Sequence, residues 1–292
     1  MTITLARSTG FCSGVQRAIR GAERALALRG RIYCLGEIIH NPRVVEDLKR
    51  KGLVVVDDIE SVPDGSAFIV RSHGLPGYLL DRAGEKGLEV YDFTCPKVKK
   101  IHGLVQELSG EGYFILVAGN PSHPEVKAIH SLAGGGSAVV QTPEEVSGLA
   151  DARPASLEKV ALVVQTTFDP LRFLDIVKET VLHSKTTLVS NTLCGETLKR
   201  QREAIELAGR VDFIVVVGGK NSSNTRTLFE MVKAKVPAVH VEGSGGLDLA
   251  RLRGYAGIGI ISGASTPEEE VREVRSLIEG MPPILPPQLP QE

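Results

Sequence analysis

Tyr91-Asp92-Phe93-Thr94-Cys95-Pro96-Lys97-Val98 is the stretch from which the fold can be read. It closes a short apolar run, Leu88 to Tyr91, and Pro96 opens a helix-like segment at the position where a missing N–H does least harm. A cysteine at such a strand-to-helix corner lies near helix N-terminal amides, which favour the thiolate, the form that binds metal or attacks. Cys12 in Gly10-Phe11-Cys12-Ser13-Gly14 and Cys194 in Asn191-Thr192-Leu193-Cys194-Gly195 stand at similar corners, roughly a third of the chain apart. Three thiols delivered by three similar units can meet at one centre.

On either side of these corners, strand and helix alternate. Ile3 to Ala6 reads as a strand and Gly14 to Arg29 as a helix, with Val15, Ala18, Ile19, Ala22, Ala25 and Leu26 on one face and Gly30 as its stop. Asn41-Pro42 caps a second helix, and Thr142-Pro143 opens another in the same way. Tyr113 to Val117, Val160 to Val164, Phe213 to Val217 and Ile258 to Ile261 are continuous apolar runs. Such runs predict an α/β fold with mostly parallel sheets covered on both faces. The cysteine spacing predicts three α/β units: 1–95 with Cys12, His40 and His73; 96–193 with His123, Glu125 and Thr166; and 194–280 with Cys194, Ser222 to Asn224 and Ser265. Residues 281–292 form a Pro-rich tail with too few apolar groups for a core, expected to be extended or wrapped over the surface.

The chain has 292 residues, 42% hydrophobic and 24% charged, with a formal net charge of −1. That is an ordinary globular composition with no basic stripe, so a nucleic-acid role loses support. No apolar run is long enough to span a membrane and the first residues lack a signal-peptide hydrophobic region, so a cytoplasmic location is expected. Four cysteines without a C-x-x-C pair suit neither a disulfide scaffold nor a zinc ribbon. Cys34, inside Ile32-Tyr33-Cys34-Leu35, reads as a small buried hydrophobe.

Ligands of α/β sheets bind beyond the carboxyl ends of strands, where this chain places loops of Gly, Ser, Thr, Asn and His. Gly218-Gly219-Lys220-Asn221-Ser222-Ser223-Asn224 suits an anion cradle, though it matches neither the P-loop nor the dinucleotide fingerprint. Ser265 lies in a similar loop, and His40 and His73 are further donors for an anion. Glu125, after His123-Pro124, is either a first-turn glutamate favoured by the helix dipole or a proton donor whose pKa is raised in a dry site; Thr166 offers a hydroxyl from another strand end. Three thiols without a fourth protein ligand suit an iron–sulfur cluster with one open iron. Three unrelated buried cysteines, or a zinc site of three cysteines and a histidine, are the alternatives at this point.

Taken together and in order, these segments resemble the IspH (LytB) family of 4-hydroxy-3-methylbut-2-enyl diphosphate reductases. The likeness covers essentially residues 1–280 and rests on Gly10-Phe11-Cys12-Ser13-Gly14-Val15, Ile39-His40-Asn41, Ser72-His73-Gly74, Thr94-Cys95-Pro96 and His123-Pro124-Glu125-Val126. Gln165-Thr166-Thr167, Cys194, Lys220 to Asn224 and Gly263-Ala264-Ser265 extend it. The resemblance implies a three-domain trefoil of α/β units around a [4Fe–4S] cluster, held by Cys12, Cys95 and Cys194. It implies diphosphate binding by His40, His73, Ser222, Ser223, Asn224 and Ser265, contacts to the allylic hydroxyl from His123 and Thr166, proton delivery by Glu125, and a pocket position at Thr197. The implied reaction is a reductive dehydroxylation to isopentenyl and dimethylallyl diphosphates, the last step of the methylerythritol phosphate pathway, with electrons from a ferredoxin or flavodoxin. Glu196, after Cys194-Gly195, departs from the family's usual Ala, and Arg71 adds an opposite charge before Ser72. A non-redox dehydratase resembling quinolinate synthase is the competing enzyme, and an iron–sulfur sensor or RNA-binding protein the non-enzymatic one.

Overall fold

The computed structural model describes residues 1–134 and 136–281. The tail expected at 281–292 therefore lies, apart from its first residue, outside the described residues. In chain order the elements are β1 (Thr2–Leu5), α1 (Ser13–Arg29), β2 (Ile32–Leu35), α2 (Pro42–Arg50), β3 (Leu53–Val56), β4 (Ala67–Val70), α3 (Gly77–Glu85) and β5 (Glu89–Asp92). Next come α4 (Pro96–Gly110), β6 (Phe114–Ala118), α5 (Pro124–Ser131), β7 (Ser137–Val140), α6 (Pro143–Ala152), β8 (Lys159–Val164), α7 (Pro170–His183) and β9 (Thr186–Ser190). The last are α8 (Gly195–Ala208), β10 (Phe213–Val217), α9 (Ser223–Lys233), β11 (Ala238–Val241), β12 (Gly257–Ser262) and α10 (Glu268–Glu279).

The strands form three parallel four-stranded sheets with one repeated order: β3-β2-β4-β5, β7-β6-β8-β9 and β11-β10-β12-β1. In each, the first strand of the unit lies inside, the second pairs outward, and the third and fourth extend the other way. The third sheet takes its fourth strand from the N-terminus, with Thr2 opposite Gly257 and Leu5 opposite Ile260. The expected boundary at residue 1 of the first unit is therefore corrected. Residues Met1–Cys12 group with Glu196 onward in one compact unit, and Ser13–Gly195, carrying the other two sheets, form the second. Parallel pairing needs only a free edge of matching register, so residues distant in sequence can supply the strand.

Inner strands are mostly apolar because both faces are covered, as in β6 (Phe114–Ala118) and β10 (Phe213–Val217). Ile214 and Val216 pack with Leu207 and Leu228 on one face of the third sheet, whereas Val215 and Val217 pack with Val271 and Val274 on the other. Each such side chain stabilises the fold by about 1.5–3 kcal/mol relative to exposure. The fourth strands depart from this pattern: β5 is largely exposed, and β9 and β1 are mostly half-buried, because they lie at sheet edges. Helix starts follow the cap signals. Asn41 Oδ1 accepts from Val44 N at 3.0 Å ahead of Pro42. No helix among the described residues is long and apolar enough to cross a membrane.

Gly218, at the end of β10, has φ +143, and a Cβ there would lie 2.5 Å from Thr266 Oγ1 and 2.9 Å from Thr225 Oγ1. Gly218→Ala is expected to lower stability by about 2–3 kcal/mol through both strain and overlap, measured by urea unfolding.

Candidate active site

Each corner cysteine sits immediately before a helix: Cys12 before α1, Cys95 before α4 and Cys194 before α8. The backbone N–H of each is held by the loop after the third strand of its sheet. Cys95 N donates to Ser72 O at 3.0 Å, Cys194 N to Thr166 O at 2.9 Å, and Cys12 N to Ala264 O at 3.0 Å. The three thiols are partly exposed and form no disulfide. Cys34 is fully buried in β2, and burial pushes its thiol up to about 12, as befits a core group. Within the Ser13–Gly195 unit, the two thiol corners adjoin: Lys97 Nζ, two residues past Cys95, donates to Cys194 Sγ at 3.4 Å. Three accessible sulfurs on rigid backbone corners, set apart from one inert thiol, are a donor set that fits an iron–sulfur group.

The same unit gathers His40, His73, His123, Glu125 and Thr166. Their elements explain why: His40 precedes the cap of α2, His73 follows β4, His123 is the N-cap of α5, and Thr166 follows β8. The ring centroids of His40 and His73 are 4.7 Å apart, those of His73 and His123 5.2 Å, and those of His40 and His123 5.8 Å. One ligand-type atom from each imidazole lies within 4.8 Å of the others. His123 Nδ1 accepts the Glu125 N–H at 3.2 Å, which leaves the proton on Nε2 and makes that nitrogen a donor. Burial and the neighbouring Arg71 push His40 down to about 4. His73 falls well below the usual range through burial, with His40, His123 and Arg71 adding to it. The cluster is therefore neutral near pH 7, a set of N–H donors with Arg71 as its fixed cation.

Glu125 is 2% exposed. Its Oε1 accepts from Thr166 N and its Oε2 from Thr166 Oγ1, both at 2.7 Å. Burial raises its pKa, and the two Thr166 bonds oppose part of that rise. Glu125 stands in the first turn of α5, yet its carboxyl is buried against Thr166.

Thr197, Ser222, Ser223, Asn224, Ser265 and Cys12 lie in the unit formed by Met1–Cys12 and Glu196 onward. Ser222 caps α9, its Oγ accepting from Thr225 N at 3.4 Å. Asn224 is 5% exposed, and neither its Oδ1 nor its Nδ2 has a hydrogen-bond partner among the described residues. A buried amide without a partner is costly, on the order of 1–3 kcal/mol, which makes Asn224 a candidate for a polar ligand. Thr197 and Ser265 are also buried.

Comparison with known proteins gives a consistent picture. The family model described as "LytB protein" matches residues 3–279. The chain belongs to the LytB family. It is 37% identical over 284 residues to the 4-hydroxy-3-methylbut-2-enyl diphosphate reductase of Dictyoglomus turgidum, covering 97% of this chain and 98% of that protein. It is 41% identical over 282 residues to the enzyme of the same name from Geobacter sulfurreducens, covering 96% and 97%. Among solved structures, the E-1-hydroxy-2-methyl-but-2-enyl-4-diphosphate reductase of Plasmodium falciparum matches with a TM-score of 0.90 and 31% identity, over 96% of this chain and 89% of that one. A second solved structure, that of an (E)-4-hydroxy-3-methyl-but-2-enyl diphosphate reductase, the terminal enzyme of the non-mevalonate pathway, matches with a TM-score of 0.69 and 37% identity, over 96% and 100%.

Sequence reasoning passed over the supports of this LytB site. Arg200, 2% exposed on α8, donates to Ser8 O and Gly10 O at 2.8 Å and to Ser262 O at 3.2 Å. It thereby ties the loop that leads to Cys12 to the end of β12, just before the Ser265 loop. One turn further on, Glu203 accepts from Ser8 N at 2.7 Å and Ser8 Oγ at 2.9 Å. The signal available in advance was a pair of charged residues on the face of α8 that also carries Thr197 and Ala204. His102 on α4 was likewise missed; its ring fills the space where a Cβ on Gly74 would stand, directly after His73. Arg71, noted only as a departure, proves to be the cation of the histidine cluster.

Arg200→Met is expected to lower stability by on the order of 3 kcal/mol by stranding buried carbonyls, and to speed alkylation of Cys12 but not Cys34 in the metal-free protein. Between the ordinary histidine value of 6.5 and the folded value of about 4 for His40, the unfolded chain binds more protons than the folded one, so stability rises with pH there. His73→Asn removes one such group, and the stability lost between about pH 7 and about pH 5 shrinks accordingly in urea melts.

Proposed function

We infer that this chain is a 4-hydroxy-3-methylbut-2-enyl diphosphate reductase. It takes two electrons and two protons to replace the allylic hydroxyl by hydrogen, yielding isopentenyl and dimethylallyl diphosphates and water. The reading is carried by buried Glu125, doubly bonded to Thr166 and joined through His123 to a cluster of neutral imidazoles. Full-length likeness to reductases sets the dehydratase alternative aside.

Diphosphate binding is assigned to His40, His73, Ser222, Ser223, Asn224 and Ser265, with Thr197 lining the pocket. Neutral N–H donors and a buried amide bind oxyanions without bringing their own counter-charge. Binding energy at the diphosphate positions the allylic end, which is remote from it. His123, fixed as an Nε2 donor, and Thr166 orient the hydroxyl. The Thr166 hydroxyl both donates and accepts, so a proton on Glu125 Oε2 can pass to Thr166 Oγ1 as Thr166 gives its own proton onward. Burial keeps that proton on Glu125 to higher pH than an exposed carboxyl would hold it.

Cys12, Cys95 and Cys194 are the residues that would hold a [4Fe–4S] cluster. When bound, that cluster supplies single electrons and a Lewis-acidic open iron for the departing hydroxyl. The electrons come from a ferredoxin or flavodoxin, and reduced thiols suit a cytoplasmic location.

The test is anaerobic reconstitution followed by turnover with the hydroxymethylbutenyl diphosphate and reduced methyl viologen. Iron–sulfur protein that leaves this substrate unconsumed would refute the reductase assignment. Glu125→Gln is expected to keep substrate binding and lose about 10²–10⁴-fold in kcat. Thr166→Val shows a comparable loss, and wild-type rates in both variants would remove the relay.

A further inference from the structure

α4 begins unusually. Its first residues, Pro96-Lys97-Val98-Lys99-Lys100, carry three lysines and no acid in the first turn. Cations at a helix N-terminus are opposed by the aligned peptide dipoles, by about 0.3–1 kcal/mol each at the surface. Lys99 has a local explanation, an ion pair to Asp92 at 2.6 Å. Lys97 is directed elsewhere: its Nζ reaches the sulfur of Cys194, at the corner of the neighbouring sheet, and donates to it at 3.4 Å. An exposed ammonium in water is screened over about 8–10 Å, so its effect on an electron-accepting group is greatest at direct contact, which this bond provides.

We propose that Lys97 is a positioning residue that sets the reduction potential of the iron–sulfur group through its hydrogen bond to Cys194 Sγ. This rests on the reading of Cys12, Cys95 and Cys194 as cluster ligands. Potentials of such clusters depend on net charge and on hydrogen bonds to the sulfurs. Adding an electron makes the cluster and its thiolates more negative, and a charged N–H donor stabilises that state more than the oxidised one. Lys97 therefore raises the potential, so that a weaker one-electron donor suffices. The residue beside Pro96 thus acts on the opposite cysteine, a coupling created because the corners of two sheets adjoin.

The experiment is a redox titration of the reconstituted protein, substrate-free, followed by electron paramagnetic resonance and accompanied by iron analysis. Lys97→Met is expected to lower the midpoint potential and Lys97→Glu to lower it further, while Lys97→Arg, which keeps a charged donor, stays close to wild type. For Lys97→Met the reduction equilibrium shifts about tenfold, or about 59 mV for one electron. Equal midpoint potentials in wild type and Lys97→Met, at equal iron content, would overturn the role of Lys97 while leaving the reductase reading intact. Wild-type protein that assembles no cluster would overturn both.

Discussion

A single backbone hydrogen bond, repeated in each sheet, couples a cysteine corner to the loop that follows the third strand. The donor is a cysteine N–H and the acceptor a carbonyl just beyond the third strand: Ser72 for Cys95, Thr166 for Cys194 and Ala264 for Cys12. The acceptor residues, or their neighbours, are the polar groups of the candidate site. Thr166 bonds Glu125, Ser72 precedes His73, and Ala264 precedes Ser265. Backbone-to-backbone bonds hold positions more tightly than side-chain contacts, since no rotamer can relax them. A thiol and its partnered loop therefore move as one body, which is the preorganisation that an oriented reaction requires.

The electrostatics of the histidine group follow from packing. Burial withholds water from His40, His73 and Glu125, and in that environment each prefers its neutral form. Arg71 lies against Gly36 and reinforces the neutrality of the imidazoles. Neutral donors around one fixed cation suit an incoming oxyanion better than three imidazoliums, whose mutual repulsion would open the cluster. The same dryness that lowers the pKa of the imidazoles raises that of Glu125.

The other unit holds its loops by a different device. Its sheet is completed by β1, which arrives from the opposite end of the chain, and α8 secures that strand's continuation. Arg200 and Glu203 bind the backbone on either side of Ser8 and Arg200 also reaches Ser262, so a covalent discontinuity becomes a continuous hydrogen-bonded frame. Buried charges are tolerated here because Arg200 donates to three backbone carbonyls and Glu203 accepts from the N–H and hydroxyl of Ser8.

Much of this was legible in advance because it is local. Pro96 beside Cys95, the glycines flanking Cys12 and the Gly after Cys194 mark corners through backbone preferences that act over a few residues. The contrast with Cys34 is equally local, since its apolar neighbours announce a strand. Continuous runs such as Phe213 to Val217 announce parallel, covered strands, and the order of motifs announced the family. What needed the tertiary structure depends on residues far apart in sequence. The pairing of β1 with β12, the exposure of β5 and the reach of Arg200 are decided by which strand edge is free and which helix lies over it. The bond from Lys97 to Cys194 is of the same kind. Local sequence can specify a conformation at Cys95, but the identity of its neighbour across space is set by packing whole sheets together, and that is a property of the fold as a whole.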